Sequence, residues 1–299
     1  MIKVNNLVKI FDGFMALDNT CMHVEKGSVY GLVGPNGAGK TTVLNHIAGI
    51  YRPNSGTVDI MNEPVYENTA VKNKIIYIND NMYFPIGYSI KDAAAMYKGL
   101  YPEWNEERFS ALGEVFNIDI KRKIKRLSKG MQKQVAFWLG LCTMPEILIL
   151  DEPVDGLDPV MRRNVWNIIL SDVAERETTV LISSHNLREL EDVCDHVGIM
   201  HKGKIVIEKS LHDVKGTIHK IQLAFSGEFP EELKNSIDIV NNEMFGSVHM
   251  LIARGSLSEI ETEISKYSPI IKDVLPLSLE EVFIYELGGL GYELGKIII

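Results

Sequence analysis

Apolar positions along the chain follow two periods, and the change from one to the other divides it. Alternating or continuous short apolar runs predict strands at Ile2 to Ile10, Leu17 to Val24, Ser28 to Val33, Thr57 to Met61 and Lys74 to Ile78. Asp12-Gly13 reads as the turn between the first two, and Pro53-Asn54-Ser55-Gly56 as the loop into the fourth. Lys40 to Ala48 breaks this pattern with Val43, Leu44, Ile47 and Ala48 on one helical side. Beyond Pro85 the helical period takes over, with Ser89 and Asp92 as a helix start before Ile90 to Leu100, and a second helix over Asn105 to Phe116. Another helix runs from Leu127-Ser128 to about Leu141. Ile147 to Leu150 is a continuous apolar run of the kind found in buried parallel strands. Then come a helix over Val160 to Glu175, a strand over Thr178 to Ile182, a helix over Asn186 to Asp195, and a hairpin of Val197 to Met200 with Lys204 to Ile207.

Composition narrows the class. With 31 basic and 40 acidic side chains the net charge is −9, which argues against a surface built to neutralise nucleic-acid phosphates, so no nucleic-acid partner is expected. The basic run Ile120 to Arg126 reads as a solvated face. Cys21, Cys142 and Cys194 are far apart, form no C-x-x-C pair and predict neither a disulfide framework nor a zinc site. No apolar run reaches bilayer length, and Met1 to Phe11 lacks the apolar centre of a signal peptide. The expectation is a cytoplasmic protein, held at a membrane only through a partner.

The candidate chemistry begins at Gly34-Pro35-Asn36-Gly37-Ala38-Gly39-Lys40-Thr41-Thr42, which fits G-x-x-x-x-G-K-[ST] between a strand and a helix. Glycines let successive N–H groups face phosphate oxygens, and the following helix points the positive end of its dipole at the same place. Lys40 would reach the β- and γ-phosphates and Thr41 would ligate Mg²⁺. The strand Ile147 to Leu150 delivers Asp151 and Glu152 at its carboxyl end, one carboxylate suited to hold Mg²⁺ and the other to polarise an attacking water. Asn79-Asp80-Asn81 closes another strand on the same edge, where a metal or water ligand is useful. Ser128 or Gly130 opens a helix whose N-terminus offers a second phosphate-binding surface. His185, at the end of a buried strand, suits either a γ-phosphate contact or a structural role, and Phe11 suits either a stacked purine or the core.

Taken together, the phosphate loop GPNGAGKTT, LSKGMQ, ILILDE, DGLD and His185 resemble the ATP-binding subunit of ABC transporters over about Ile2 to Leu223. The resemblance implies an α/β fold, a P-loop NTPase cassette with a mixed core sheet, an antiparallel β subdomain and a helical subdomain over about 83–141. It implies ATP and Mg²⁺ as ligands, and two cassettes meeting head to tail around two ATPs. By position, Phe11 becomes the adenine-stacking residue, Gly34 to Thr42 the phosphate cradle, and Thr41, Asp80 and Asp151 the metal ligands. Glu152 becomes the catalytic base, His185 the γ-phosphate switch and Asp158 a cross-dimer contact. Ser128, Lys129, Gly130, Met131 and Gln132 become the signature that meets the partner's ATP. Three positions depart from the common pattern: Asp80 stands where Gln is usual, Lys129 and Met131 where Gly and Gln are usual, and Phe11 where Tyr is usual.

Beyond the cassette, strands at Lys220 to Ser226, Ser236 to Val240, Val248 to Arg254 and Ile270 to Leu275 alternate with helices at Glu231 to Asn235 and Ser256 to Lys266. They predict a small α+β domain over 224–287, followed by a tail over 288–299. LPLSLEEVFIY, Leu275 to Tyr285, resembles the tail of type-2 ABC export ATPases, including those encoded beside GntR-type regulators. That resemblance implies an ATP-hydrolysing cytoplasmic subunit that drives a separate transmembrane permease and pairs with a second ATPase subunit. Substrates in that group include antibiotics, amphipathic peptides and membrane-active compounds. An importer ATPase, or a non-transport ATPase with a regulatory or resistance role, is the alternative.

Overall fold

The structure, a computed structural model, describes residues 1–211 and 218–288. It separates into two units, Met1–Glu208 and Lys209–Ile299. The first opens with the strands β1 (Ile2–Phe11) and β2 (Phe14–Val24), an antiparallel hairpin whose turn uses the left-handed residues Asp12 and Gly13. Next come β3 (Val29–Val33), buried throughout, and the helix α1 (Lys40–Ile47). β4 (Ser55–Ile60) and the short β5 (Glu63–Pro64) complete a four-stranded antiparallel sheet in the order β2-β1-β4-β5. The single-turn α2 (Thr69–Lys72) leads to β6 (Ile75–Ile78).

The helical stretch then forms from locally capped pieces. Ser89 and Asp92 make a reciprocal capping box at the start of α3 (Ile90–Leu100), and Asn105 caps α4 (Glu106–Phe116). The charged residues of the basic run are exposed as expected, while Ile120 is partly buried and Ile124 buried. Ser128 caps α5 (Lys129–Cys142), whose Trp138 stacks on Phe109 with ring centroids 4.8 Å apart and donates Nε1–H to the Phe109 carbonyl at 2.8 Å. A Cβ at position 113 would lie 2.9 Å from the Trp138 ring, so Gly113 is what lets α4 and α5 approach.

β7 (Ile147–Asp151), α6 (Pro159–Arg176), β8 (Thr179–Ser184), α7 (Leu187–Glu191), β9 (His196–His201) and β10 (Lys204–Ser210) follow. They build a six-stranded sheet, β10-β9-β3-β8-β7-β6, in which β3, β6, β7, β8 and β9 pair in parallel. Parallel strands buried on both faces explain the unbroken apolar runs at β3 and β7. α7 is shorter than the helix expected over Asn186 to Asp195, because Asp195 leaves it to accept the Val29 amide at the start of β3, at 2.8 Å. Val43, Leu44 and Ile47 of α1 share one buried cluster with Ile2, Val4 and Leu7 of the antiparallel sheet and with Leu32, Ile149 and Leu181 of the parallel one. The helix after the phosphate loop is therefore held between the two sheets.

The second unit contains β11 (Ile218–Ala224), α8 (Leu233–Ser236), β12 (Asp238–Phe245), β13 (Val248–Arg254), α9 (Leu257–Ser265), β14 (Ile271–Leu275) and α10 (Leu279–Gly288). Its sheet order β12-β13-β11-β14, antiparallel throughout, is the split β-α-β-β-α-β arrangement. Leu233, Ile260 and Ile264 of the helices pack on Ile221, Leu223, Leu251 and Ala253 of the strands. Ser278 and Glu281 of LPLSLEEVFIY bond reciprocally at the start of α10. The boundary expected at Leu223 falls within β11, an interior strand of this sheet, so the second unit starts upstream of it. Residues 289–299, where a tail is expected, lie outside the described residues.

The helical stretch is tied to the parallel core by a largely buried ion pair, in which Arg108 of α4 donates to Asp172 of α6 at 2.6 Å. Asp172→Ala strands that guanidinium and is expected to lower unfolding stability by about 3 kcal/mol in urea titration. Arg108→Met combined with Asp172→Ala is expected to recover part of the loss. Additive losses would show that the two side chains do not act as a pair.

Candidate functional site

Strand ends and one loop converge on a cleft of about 490 Å³. On the phosphate side, the loop is fixed by backbone that only glycine tolerates: Gly37 and Gly39 have positive φ, and a Cβ at Gly34 would lie 2.2 Å from the Met200 carbonyl oxygen. At Gly37 a Cβ would meet nothing within 4 Å, so this face of the loop is open to the cleft. Lys40 is buried, donates to the Gly34 carbonyl at 2.6 Å, and lies 3.9 Å from Glu152 Oε1. Burial lowers its pKa, opposed by the charges of Glu152 and Asp151.

The parallel sheet delivers the acids. β7 and β8 are in register with Asp151 opposite Ser183, so the Ser183 hydroxyl donates to Asp151 Oδ1. Asp151 Oδ2 accepts from the Thr41 hydroxyl at 2.8 Å and from the Tyr77 hydroxyl at 3.5 Å. Burial and the charge of Asp151 push the Tyr77 pKa upward, which keeps that hydroxyl a donor. The residue after the strand, Glu152, adopts a left-handed backbone with φ 48°. Its amide donates to the Ser183 carbonyl at 3.1 Å, and its Oε2 lies 2.9 Å from Nδ1 of the half-exposed His185. Burial raises the Glu152 pKa, while His185 and Lys40 pull it down.

At the other end of the cleft stands the hairpin turn of β1 and β2. Phe11 is 38% exposed, so it is a wall of the cleft rather than core, and it meets Tyr51 edge-on at 5.6 Å. Phe14, paired opposite Phe11, lines the same cleft. Asp80 lines it as well, which brings the Thr41 hydroxyl and the carboxylates of Asp80 and Asp151 to one cavity. Three hard oxygen donors suit a small divalent cation such as Mg²⁺, and the open loop backbone suits the phosphates it would accompany.

The remaining expected residues are elsewhere. Lys129 and Gln132 line a second cleft of about 290 Å³, shared with Asp80, Lys133, Asp155 and Gly156. The Ser128 hydroxyl accepts the Met131 amide as the cap of α5, at 3.2 Å, and the Gln132 amide donates to the Leu127 carbonyl at 2.9 Å. A Cβ on Gly130 would lie 2.4 Å from the Gly156 carbonyl oxygen, so this glycine lets the α5 start pack against the loop after β7. Asp158 caps α6 by accepting the Val160 and Met161 amides. Among the residues that escaped the sequence reading are Phe14, Tyr77 and Lys133, which line these clefts, and Ser183, which bonds Asp151. Lys133 did carry a signal, since its charge interrupts the apolar face continued by Ala136 and Phe137.

The sequence profile of the ABC transporter family matches residues 17–155. The chain is 31% identical to the ABC transporter ATP-binding protein YtrB of Bacillus subtilis (strain 168), over 97% of this chain and 99% of that protein. To the bacitracin transport ATP-binding protein BcrA of Bacillus licheniformis it is 29% identical, over 97% of this chain and 98% of that protein. Its fold is similar to a solved ATP-binding subunit of an ABC transporter, with a TM-score of 0.67 at 23% identity, over 72% of this chain and 92% of that one. The protein therefore belongs to the ABC transporter family as an ATP-binding subunit, an ATPase with the P-loop cassette fold. Among the described residues no helix is long and apolar enough to cross a membrane.

The raised pKa of Glu152 has a thermodynamic consequence. Its folded value lies above its unfolded value, so the ionised carboxylate destabilises the fold at pH above both, and the penalty vanishes as pH falls through them. Glu152→Gln is expected to melt at a higher temperature than wild type at pH 8, with the difference closing toward pH 4. Melting curves across that range decide it, and a variant less stable at pH 8 would contradict the assignment.

Proposed function

We propose that this chain is the ATP-hydrolysing subunit of an exporter, working as a pair of cassettes on a separate membrane permease. The observation that carries the hydrolytic part is the convergence of Lys40, Thr41, Asp151 and Glu152 on one cleft, with His185 against the Glu152 carboxylate. Mg²⁺, held by Thr41, Asp151 and Asp80, would supply positive charge to the β- and γ-phosphate oxygens. Lys40 adds a second positive charge, and the loop N–H groups orient the phosphates. Glu152 draws a proton from the attacking water, a task its raised pKa suits, and His185 holds the carboxylate and faces the phosphate being transferred. Phe11, with Phe14 beside it, offers the aromatic face for the adenine.

The position of the remaining residues supports the pairing without fixing it. Ser128, Gly130 and Asp158 do not line the cleft that contains Lys40 and Glu152, which leaves them available to meet the nucleotide of a second cassette. The permease contact is assigned to the cleft between the segment after β6 and α3, about 210 Å³, lined by Met82, Tyr83, Phe84, Tyr97 and Tyr101. Export, of antibiotics, amphipathic peptides or other membrane-active compounds, rests on similarity to BcrA that runs through the second unit, together with LPLSLEEVFIY.

Purified wild type and Glu152→Gln, compared in Mg-ATP, test this reading. Hydrolysis is expected to fall by ~10²-fold or more in the variant, with nucleotide affinity retained. Size-exclusion mass measurements are expected to show the variant trapped as an ATP-bound dimer. Equal turnover by both proteins would remove Glu152 from the chemistry, and a variant that stays monomeric in saturating ATP would remove the sandwich.

A further inference from the structure

Lys133 lies on α5, just after the residues LSKGMQ, and is only 4% exposed. An ammonium so buried requires strong partners. Its Nζ donates to the main-chain carbonyl of Glu152 at 2.7 Å and lies 3.7 Å from Asp80 Oδ1. That carbonyl belongs to a residue whose φ of 48° is unusual for a side chain larger than glycine's. Such a conformation persists when the surroundings over-determine it. Here the Glu152 amide is taken by Ser183 and the Glu152 carbonyl by Lys133, so both peptide groups flanking the strained torsion are held.

Asp80 supplies the other half of the argument. Its side chain is half exposed and borders two cavities: the nucleotide cleft with Thr41 and Asp151, and the second cleft with Lys133 and Asp155. One carboxylate thus stands between a buried lysine and the metal-binding oxygens.

We propose that Lys133 is a positioning residue for hydrolysis, holding Glu152 in its left-handed backbone, and that Asp80 couples this hold to the nucleotide cleft. The inference rests on the hydrolytic reading given above. When Asp80 turns to the nucleotide's metal, Lys133 loses the charge it shares and bonds the Glu152 carbonyl alone. The base is held most firmly when the cleft is loaded. Asp80 and Lys133 act as a matched pair, which gives the departure from Gln at position 80 a physical purpose.

Two readouts test this. In nucleotide-free protein, Lys133→Met is expected to speed amide hydrogen exchange across residues 152–157 by ~10-fold or more, while β3 and α1 keep wild-type protection. In steady state, the same variant is expected to lose up to ~10²-fold in kcat, with the affinity for a fluorescent ATP analogue within about 3-fold of wild type. Lys133→Arg, which keeps a donor, is expected to recover part of both effects. Asp80→Asn combined with Lys133→Met is expected to cost less than the sum of the single changes. Wild-type exchange in Lys133→Met would overturn the hold on Glu152. Unchanged kcat, or nucleotide affinity lost in step with kcat, would overturn the positioning role, and strict additivity would overturn the coupling to Asp80. If wild type itself fails to hydrolyse ATP, the hydrolytic reading fails, and the exchange measurement still decides whether Lys133 holds Glu152.

Discussion

The site depends on one buried carboxylate. Asp151 ends a strand buried along its whole length, where an ionised group survives only by being bonded on every available side. Ser183 reaches it from the neighbouring strand on one side, Tyr77 from the neighbouring strand on the other and Thr41 from the helix after the phosphate loop. Each bond ties a different part of the fold to one point. The strand register that places Ser183 opposite Asp151 also places Glu152 just past the sheet edge, with His185 close by. The burial of α1 between two sheets then fixes Lys40 and Thr41 relative to those acids. Packing, register and chemistry are therefore set together, and little of the site can shift without disturbing the core.

Much of this was legible in the sequence because the signals were local. Unbroken apolar runs announced β3 and β7, Ser89 with Asp92 announced α3, and the glycine spacing announced the phosphate loop. Charge and cysteine usage excluded other chemistries. What the sequence could not show were meetings between distant segments. Ser183 reads as the polar end of a strand until the register puts it against Asp151, and Tyr77 as a core residue until its hydroxyl finds the other oxygen of that carboxylate. Lys133 reads as a charge on an amphipathic helix, since its partners Glu152 and Asp80 lie on other elements. The place of β11 is another such meeting: only when β13 and β14 pair on either side of it does it become an interior strand of the second sheet.

The two units illustrate different routes to stability. The first buries a parallel sheet on both faces, and its loops are pinned by side chains of Ser128, Asp158 and Asp195. The second is a small antiparallel sheet against which α8 and α9 pack through Ile221, Leu223 and Leu251. Its final helix is fastened by Ser278, Glu281 and Lys220.

On the pairing proposed above, the caps at Ser128 and Asp158 bear on how readily two such molecules would join. Each side chain holds two or three residues of its loop in a fixed shape within its own chain. A surface whose loops are already ordered surrenders little freedom on contact, so less of the contact energy is lost to ordering them. Association then becomes a matter of collision and fit, and its speed is open to control by whatever fills the clefts.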